Sequence, residues 1–423
     1  MAATACLTSL DDWLDYLGQI HPKEIDMGLE RVERVFNRLN LPLHHSRVIL
    51  VGGTNGKGTT TALTQKLLTA QGFSVGCYNS PHIHDYKERV TIDGQWFTES
   101  QHCQAFKQIE QVRADIELTY FEFGTLAALC LLAQAAPDFI LLEVGLGGRL
   151  DATNIVSPEL SVITTVALDH KDWLGDTREQ IGFEKAGIFR ANGKAVCGDL
   201  APPDSVRQQA DKLDLDILWH QQDFSFQLEQ ANSVNGTTWR WYSSVSNTQF
   251  SELPIPNMPL QNASTCLAML EQLGVSIELD ILKRVLTDFQ ISGRWQQINT
   301  KPQVIIDVAH NEEAILQLVD NVQRLKQTTK GQLYAVVGML KDKDYQTCLS
   351  IVEPIFNGFY LADINQARGA NAQELASCLP SSKVVSNNCN IRAAYQDALA
   401  KAQAEDVIIA FGSFWVITDL LET

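Results

Sequence analysis

One segment constrains the fold of this chain more than any other: RVILVGGTNGKGTT, from Arg47 to Thr60. Arg47 to Gly53 is an apolar run of strand length, and Lys57 to Ala70 is a helical pattern closed by Gly72. FSVGCY, from Phe73 to Tyr78, is a second strand. A strand, a glycine-rich turn, a helix and another strand in that order form a parallel β-α-β unit. The turn itself carries chemistry. Its glycines let successive backbone N–H groups face an anion, and the helix start adds a partial positive charge. Lys57 is then placed for the β- and γ-phosphates of a nucleotide, and a hydroxyl of Thr59 or Thr60 for a divalent metal. The loop departs from the strict phosphate-loop pattern, with Val51 at the first glycine position and Gly58 where a hydroxyl residue would follow the lysine. The competing reading, a glycine-rich turn with a chance lysine, does not explain why motif and strand-to-helix context coincide.

Two further apolar runs extend the sheet. DFILLEVGLGG ends a strand near Glu143, and LSVITTVALDH ends one near Asp169 and His170. Wholly apolar strands suit a parallel sheet covered by helices on both faces. Polar residues at their carboxyl ends lie where open α/β sheets hold ligands. Upstream, Leu10, Trp13, Leu14 and Leu17 recur at helical spacing, as do Leu29, Val32, Val35, Phe36 and Leu39. From about Ala195 to Leu260 the texture changes: DFSFQLEQ and TTWRWYSS, with Asn235-Gly236 between them, predict antiparallel strands. Trp239 and Trp241 there read as packing residues before a binding surface. A boundary falls near Gly293 to Pro302, and QVIIDVAHN, QLYAVVGML, NGFYLADI, SKVVSN and DVIIAFGSF then restart an α/β alternation. The expectation is two α/β domains, about 1–295 and 300–423, with a ligand in the cleft between them.

Composition narrows the functional classes. The net charge of −17 argues against nonspecific binding to nucleic acid or an anionic membrane, which needs a positive field. No apolar stretch is long enough to span a bilayer, and no secretory signal is expected, because the first residues carry no basic region and meet Asp11, Asp12 and Asp15 early. Nine scattered cysteines without a C-x-x-C pair read as reduced thiols, and the expected location is cytoplasmic.

Several residues are candidate ligands. Glu143, at the end of a buried strand, is either a metal ligand or a paired structural acid, and the residue alone does not decide. His170 at a strand end is more often a hydrogen-bonded structural residue than a ligand. Ser80 follows another strand and offers an oxygen. His82, His84 and Asp85 look like a transition-metal group, but no further ligand pair supports them.

Taken together, these residues resemble the folylpolyglutamate synthase/dihydrofolate synthase family, relatives of the Mur ligases, and within it the bifunctional bacterial branch. The resemblance covers nearly the whole chain: IDMGLERV (Ile25 to Val32), GGTNGKGTT, the SPH at Ser80 to His82, LTYFEFGT (Leu118 to Thr125), LEVGLGGRLDATN (Leu142 to Asn154), ALDHKDWLG (Ala167 to Gly175), EKAGIFR (Glu184 to Arg190), SGRWQ (Ser292 to Gln296), DVAHN (Asp307 to Asn311), GMLKDKD (Gly338 to Asp344) and FGSF (Phe411 to Phe414). It implies an N-terminal P-loop ATPase domain, mostly parallel with a small antiparallel appendage, and a C-terminal Rossmann-like α/β domain. It implies ATP bound by Gly56, Lys57, Gly58 and Thr59, with Asn262, Arg294 and Asp307 as further nucleotide contacts. It implies Mg²⁺, as two ions, held by Ser80, Glu143, His170, Thr59 and a carbamylated Lys185; a monovalent cation is a further candidate. His310 falls near the phosphates or the incoming amine, so Lys57, His170, Lys185 and His310 form the implied catalytic set. A pterin substrate would lie against Asp26, Met27 and Gly28, against Thr119, Tyr120, Phe121 and Glu122, and against Leu150, Asp151 and Ala152. Tyr120 and Phe121 could stack on the ring, although at least one of them reads as core.

The implied reaction joins a carboxylate to an amine through an acyl phosphate, which domain closure would shield from water. The implied small-molecule partners are dihydropteroate, tetrahydrofolates, L-glutamate and ATP, with a monomer as the expected assembly. The alternatives are a monofunctional folylpolyglutamate synthase, a Mur-like ligase for another acid, and a nucleotide-binding switch without ligase chemistry. Glu312 after DVAHN, Ser292 before Gly-Arg, and Trp295 and Trp415 depart from the family pattern. None of them is an implied phosphate or metal ligand.

Overall fold

The computed structural model describes residues 7–23, 25–232 and 236–421 of the 423-residue chain. Asn235, expected in a turn, and Cys6 lie outside the described residues. The chain forms two compact units, and neither is one uninterrupted stretch. The first comprises 1–166, 176–256 and 260–289, and the second 167–175, 257–259 and 290–423.

The first unit is built on an eight-stranded sheet. Its strands are β1 (Arg47–Gly52), β2 (Val75–Tyr78), β3 (Val90–Ile92), β4 (Gln95–Trp96), β5 (Phe139–Glu143), β6 (Leu160–Ile163), β7 (Lys194–Cys197) and β8 (Asp216–Trp219), in the order β4-β3-β2-β5-β1-β6-β7-β8. All pairings are parallel except β2 with β3 and β3 with β4. Central β1 is buried from Val48 to Gly52, as its unbroken apolar run requires. Its neighbours are in register, with Val51 opposite Glu143 on β5 and Gly52 opposite Ile163 on β6. The loop that leaves β1 therefore starts beside the carboxyl ends of both.

Helices α1 (Leu10–Leu17), α2 (Glu30–Leu39), α3 (Lys57–Ala70), α4 (Glu99–Arg113) and α5 (Tyr120–Ala135) lie along the first half of this unit. In the second unit's short crossing segment is α6 (Lys171–Leu174); α7 (Arg178–Ala186), α8 (Asp204–Lys212), α9 (Leu260–Gln272) and α10 (Leu279–Thr287) return to the first unit. Helix α3 has buried residues on more than one face, Thr59 to Thr61 as well as Leu63, Leu67 and Leu68, because α9 and α10 pack on it opposite the sheet. The antiparallel appendage is β9 (Phe224–Asn232), β10 (Gly236–Ser243) and β11 (Thr248–Pro254), in the order β11-β10-β9. Trp239 and Trp241 on β10 are buried, and the Trp239 indole donates to the Pro254 carbonyl at 2.9 Å. They are core residues.

The second unit holds a six-stranded sheet of β12 (Gln296–Thr300), β13 (Gln303–Asp307), β14 (Leu333–Val337), β15 (Gly358–Ala362), β16 (Val384–Asn388) and β17 (Val407–Phe411), in the order β12-β13-β17-β14-β15-β16. Strands β13 to β17 match the apolar runs of the sequence. Strand β12 falls in the presumed boundary and pairs antiparallel with β13. Its sequence, QQINT, has no apolar signature, because the edge position asks little more than backbone pairing. Helices α11 (Glu312–Lys326), α12 (Tyr345–Val352), α13 (Ala372–Ala376), α14 (Ile391–Lys401) and α15 (Phe414–Leu421) complete this unit. Its core gathers Ile305, Ile315, Leu318, Val337, Leu349, Phe356, Phe359 and Phe411.

Candidate active site

The loop between β1 and α3 is shaped by two glycines that no other residue could replace without displacement. Gly53 has φ of +146° and a Cβ there would lie 1.9 Å from Thr164 Oγ1; Gly56 has φ of +85° and a Cβ there would lie 2.5 Å from Asn262 Oδ1. Hydrogen bonds fasten the loop to the residues after β6: Thr54 N donates to Thr165 O at 2.8 Å, and Thr164 Oγ1 donates to Asn55 O at 2.6 Å. Gly56 occupies the N-cap of α3 and supplies no side-chain cap. The first N–H groups of a fourteen-residue helix thus face the loop, the arrangement that binds phosphate. The Lys57 ammonium donates to Gly53 O at 3.0 Å and Thr54 O at 3.2 Å, over the same loop. Thr59 Oγ1 donates to Gly56 O and accepts from Asn262 Nδ2, both at 2.9 Å. Asn262, on α9 and distant in sequence, is therefore part of the loop's support.

Glu143 ends β5 as a buried carboxylate, and its Oε2 accepts from Ser80 N at 3.1 Å. A Cβ on Gly58 would sit 3.7 Å from that same oxygen, so Gly58 and Ser80 both abut the carboxylate. Here the absence of a side chain at Gly58, an irregularity in the sequence motif, leaves room beside Glu143. Lys185 on α7 is 3% exposed, against the expectation for an ordinary helix lysine. Its neighbour Glu184 is paired with Arg149 at 2.8 Å. Among the described residues no three His, Cys, Asp or Glu side chains gather into a metal cluster. His82 accepts from Arg89 Nε at 2.8 Å, and its pKa is pushed down to about 4 by burial and then by the Arg89 charge.

In the second unit, His170 is the N-cap of α6 with φ of +50°. The preceding Asp169 is tied to three residues of this unit: Lys343 Nζ lies 2.6 Å from Oδ1, Asn311 Nδ2 donates to Oδ2 at 3.1 Å, and His310 Nε2 stands 3.7 Å away. Burial would raise the Asp169 carboxyl, but His310 and the Lys343 ammonium outweigh it and hold it well below the ordinary carboxylate range. His310 Nδ1 lies 2.7 Å from the Val308 carbonyl, which can only accept, so that nitrogen carries a proton. Asp307 has one oxygen accepting from Trp295 N at 2.8 Å and the other from Ala309 N at 2.9 Å. Burial pushes its carboxyl up, against the opposing Arg294 charge. The Arg294 guanidinium lies over the Phe414 ring at 5.6 Å. Lys343 and Asn311 fall inside GMLKDKD and DVAHN, but nothing in those stretches marks them as partners of Asp169. A buried ion pair between residues 169 and 343 leaves no local sequence signal.

The implied pterin segments are in the first unit. Thr119 caps α5 and Glu122 closes the capping box, accepting from Thr119 N at 2.8 Å and Thr119 Oγ1 at 3.0 Å. Arg31 Nε donates to the same Glu122 oxygen at 2.9 Å and Arg31 Nη1 donates to Asp26 Oδ2 at 2.5 Å. Met27 and Gly28 beside Asp26 are half-buried. Tyr120 and Phe121 are half-buried too, so neither is a pure core residue. Arg89 lies over Tyr120 at 5.7 Å, and the tip of the Phe121 ring is so close to Gly145 that a Cβ there would come within 2.4 Å of its Cζ. Asp151 is buried, with Oδ1 accepting from Thr153 N and Oγ1 and Oδ2 from Leu146 N. Burial raises its carboxyl, and those hydrogen bonds oppose the rise. Leu150 is half-buried and Ala152 buried beside it.

Residues 51–200 match the Mur ligase middle domain family, and residues 293–414 match the Mur ligase, glutamate ligase domain family. The dihydrofolate synthase/folylpolyglutamate synthase of Escherichia coli (strain K12) is 40% identical over 413 residues, covering 98% of this chain and 95% of that protein. Its counterpart from Haemophilus influenzae is 39% identical, covering 97% of this chain and 96% of that protein. Among solved structures, E. coli FolC in complex with DHPP and ADP has a TM-score of 0.92 at 38% identity, over 98% of this chain and 97% of that one. A bifunctional folylpolyglutamate synthase/dihydrofolate synthase with Mn, AMPPNP and L-glutamate bound has a TM-score of 0.89 at 41% identity, over 98% of both chains. By these matches the chain belongs to the dihydrofolate synthase/folylpolyglutamate synthase family of Mur ligases.

Proposed function

We propose that this chain is an ATP-dependent ligase that adds L-glutamate to dihydropteroate, forming dihydrofolate, and to the γ-carboxyl of tetrahydrofolates, forming folylpolyglutamates. The observation that carries it is the likeness over almost the full length to proteins named for both activities, in a chain whose β1–α3 loop is built for phosphate. Residues 1–295 would bind ATP and the pterin, and 300–423 would supply the glutamate ligase half.

A carboxylate is a poor electrophile. The acceptor carboxylate first attacks the γ-phosphorus of ATP, giving an acyl phosphate and ADP. The amine of glutamate then attacks the acyl carbon, an amide bond forms and inorganic phosphate leaves. Lys57 and the N–H groups at the start of α3 bind the triphosphate and stabilise the charge that develops on it. The donor set fits a hard divalent ion: the buried Glu143 carboxylate, the Thr59 hydroxyl beside the loop, and Ser80 next to Glu143. Such an ion takes its remaining ligands from phosphate and water, so a three-acid cluster is not required. An ion held there would supply positive charge against the negative charge of the triphosphate. The family likeness adds His170 and a carbamylated Lys185 as donors, and Lys185 is buried where an ordinary helix lysine would be exposed. His310 would lie near the phosphates or the incoming amine. The cytoplasm is the proposed location and a monomer the proposed assembly; no helix among the described residues is long and apolar enough to cross a membrane.

The test is Lys57→Ala. It should retain the wild-type melting profile and lose phosphate release by at least about a hundredfold, the scale of removing one key charge-stabilising group. Normal turnover by that variant would refute the assignment of the loop.

A further inference from the structure

Asp26 and Glu122 are both carboxylates in the implied pterin region, yet they are not equally available to a ligand. Asp26 Oδ1 is 3.2 Å from Lys23 Nζ, and its Oδ2 is 2.5 Å from Arg31 Nη1 with His21 Nε2 at 3.7 Å. Arg31 Nη2 also donates to the Asp26 backbone carbonyl. The same guanidinium reaches Glu122 through Nε, so one side chain in the first turn of α2 ties the 25–29 loop to the start of α5. Arginine suits this task because its rigid fork fixes several acceptors at once. Glu122 Oε2 accepts from Arg31 Nε, Thr119 N and Thr119 Oγ1. Its Oε1 is buried and has no hydrogen-bond partner in the protein. A buried carboxylate oxygen without a donor is costly, so its natural complement is an N–H from a ligand.

We propose that Arg31 is a positioning residue for the acceptor substrate: by holding Asp26 and Glu122 Oε2 it fixes the two segments together and presents Glu122 Oε1 to an N–H donor on the substrate's heterocycle. Asp26 is then a structural partner of Arg31 and not the ring's acceptor. This rests on the pterin reading given above.

The experiment measures kcat and the KM for dihydropteroate, ATP and glutamate, with thermal midpoints, for wild type, Arg31→Met, Arg31→Lys, Glu122→Gln and the Arg31→Met/Glu122→Gln pair. Losing a well-placed charged hydrogen bond should raise the KM for dihydropteroate about 10- to 100-fold in Arg31→Met, with kcat and the KM for ATP unchanged. Arg31→Lys should recover part of that loss. Glu122→Gln keeps the capping box, and its KM effect should not add to that of Arg31→Met because both act through the one Glu122 side chain. If Arg31→Met does not fold, Arg31→Lys and Glu122→Gln carry the test. An unchanged KM for dihydropteroate, or a parallel fall of every parameter with the thermal midpoint, overturns the proposal. Wild-type turnover separates this from the activity itself: no turnover with dihydropteroate but turnover with another acid would refute the pterin reading, and the KM for that acid would still report on Arg31.

Discussion

His102 shows what a single residue can hide. It lies on α4 with 0% exposure, and neither ring nitrogen has a hydrogen-bond partner in the protein. Its rings for company are Tyr86 at 5.5 Å and Phe106 at 6.3 Å. Burial pushes its pKa down to about 4, with Lys87 adding to the effect and Asp85 opposing it. The folded protein therefore keeps His102 neutral where the unfolded chain takes up a proton. Stability is unaffected above the ordinary value of 6.5 and falls as pH drops from there toward 4, by of order 3 kcal/mol at the lower end. His102→Phe should lose much of that acid sensitivity. Thermal midpoints of both proteins at pH 8 and pH 5 check this: the variant's midpoint should gain on the wild type at pH 5, and an equal difference at the two pH values would contradict it. Nothing in HCQAF around position 102 marks a buried histidine, whereas Lys57 and Glu143 could be singled out because motif and strand end are written locally.

At the scale of elements, patterning was legible wherever burial is two-sided. The runs that became β1, β5, β13 and β17 have buried apolar interiors, the pattern of strands covered on both faces. Edge strand β12 was missed for the opposite reason. The β9–β11 appendage was readable from its aromatic and β-branched residues, and its two tryptophans as core. Trp239→Ala should cost about 3–5 kcal/mol in chemical denaturation, since it deletes a fully buried ring and an indole hydrogen bond. On the partner strand, Leu228 is 60% exposed, and Leu228→Ala should change stability by less than about 0.5 kcal/mol. Similar losses for the two would mean that the appendage does not share in the cooperative core. The contacts that bind segment 167–175 into the second unit, Asp169 with Lys343 and Asn311, join residues far apart in sequence and were not legible. They assign the stretch bearing His170 to a unit that a linear split at residue 295 would not give it.

For the molecule as a whole, charge and composition only excluded classes, while the ordered motifs from IDMGLERV to FGSF identified the family. The fold follows from the same motifs, because most of them sit at a strand end or a helix start where local sequence and topology agree. Under the role proposed for Arg31, which acids the ligase accepts would depend on the assembly of Arg31, Glu122 and Thr119, hydrogen-bonded to one another from segments some 90 residues apart. The central claim is therefore tested by glutamate-dependent phosphate release from Mg²⁺-ATP with dihydropteroate and with tetrahydrofolate as separate acceptors. Turnover of both is the predicted result, and silence with dihydropteroate beside turnover of tetrahydrofolate would contradict the bifunctional account.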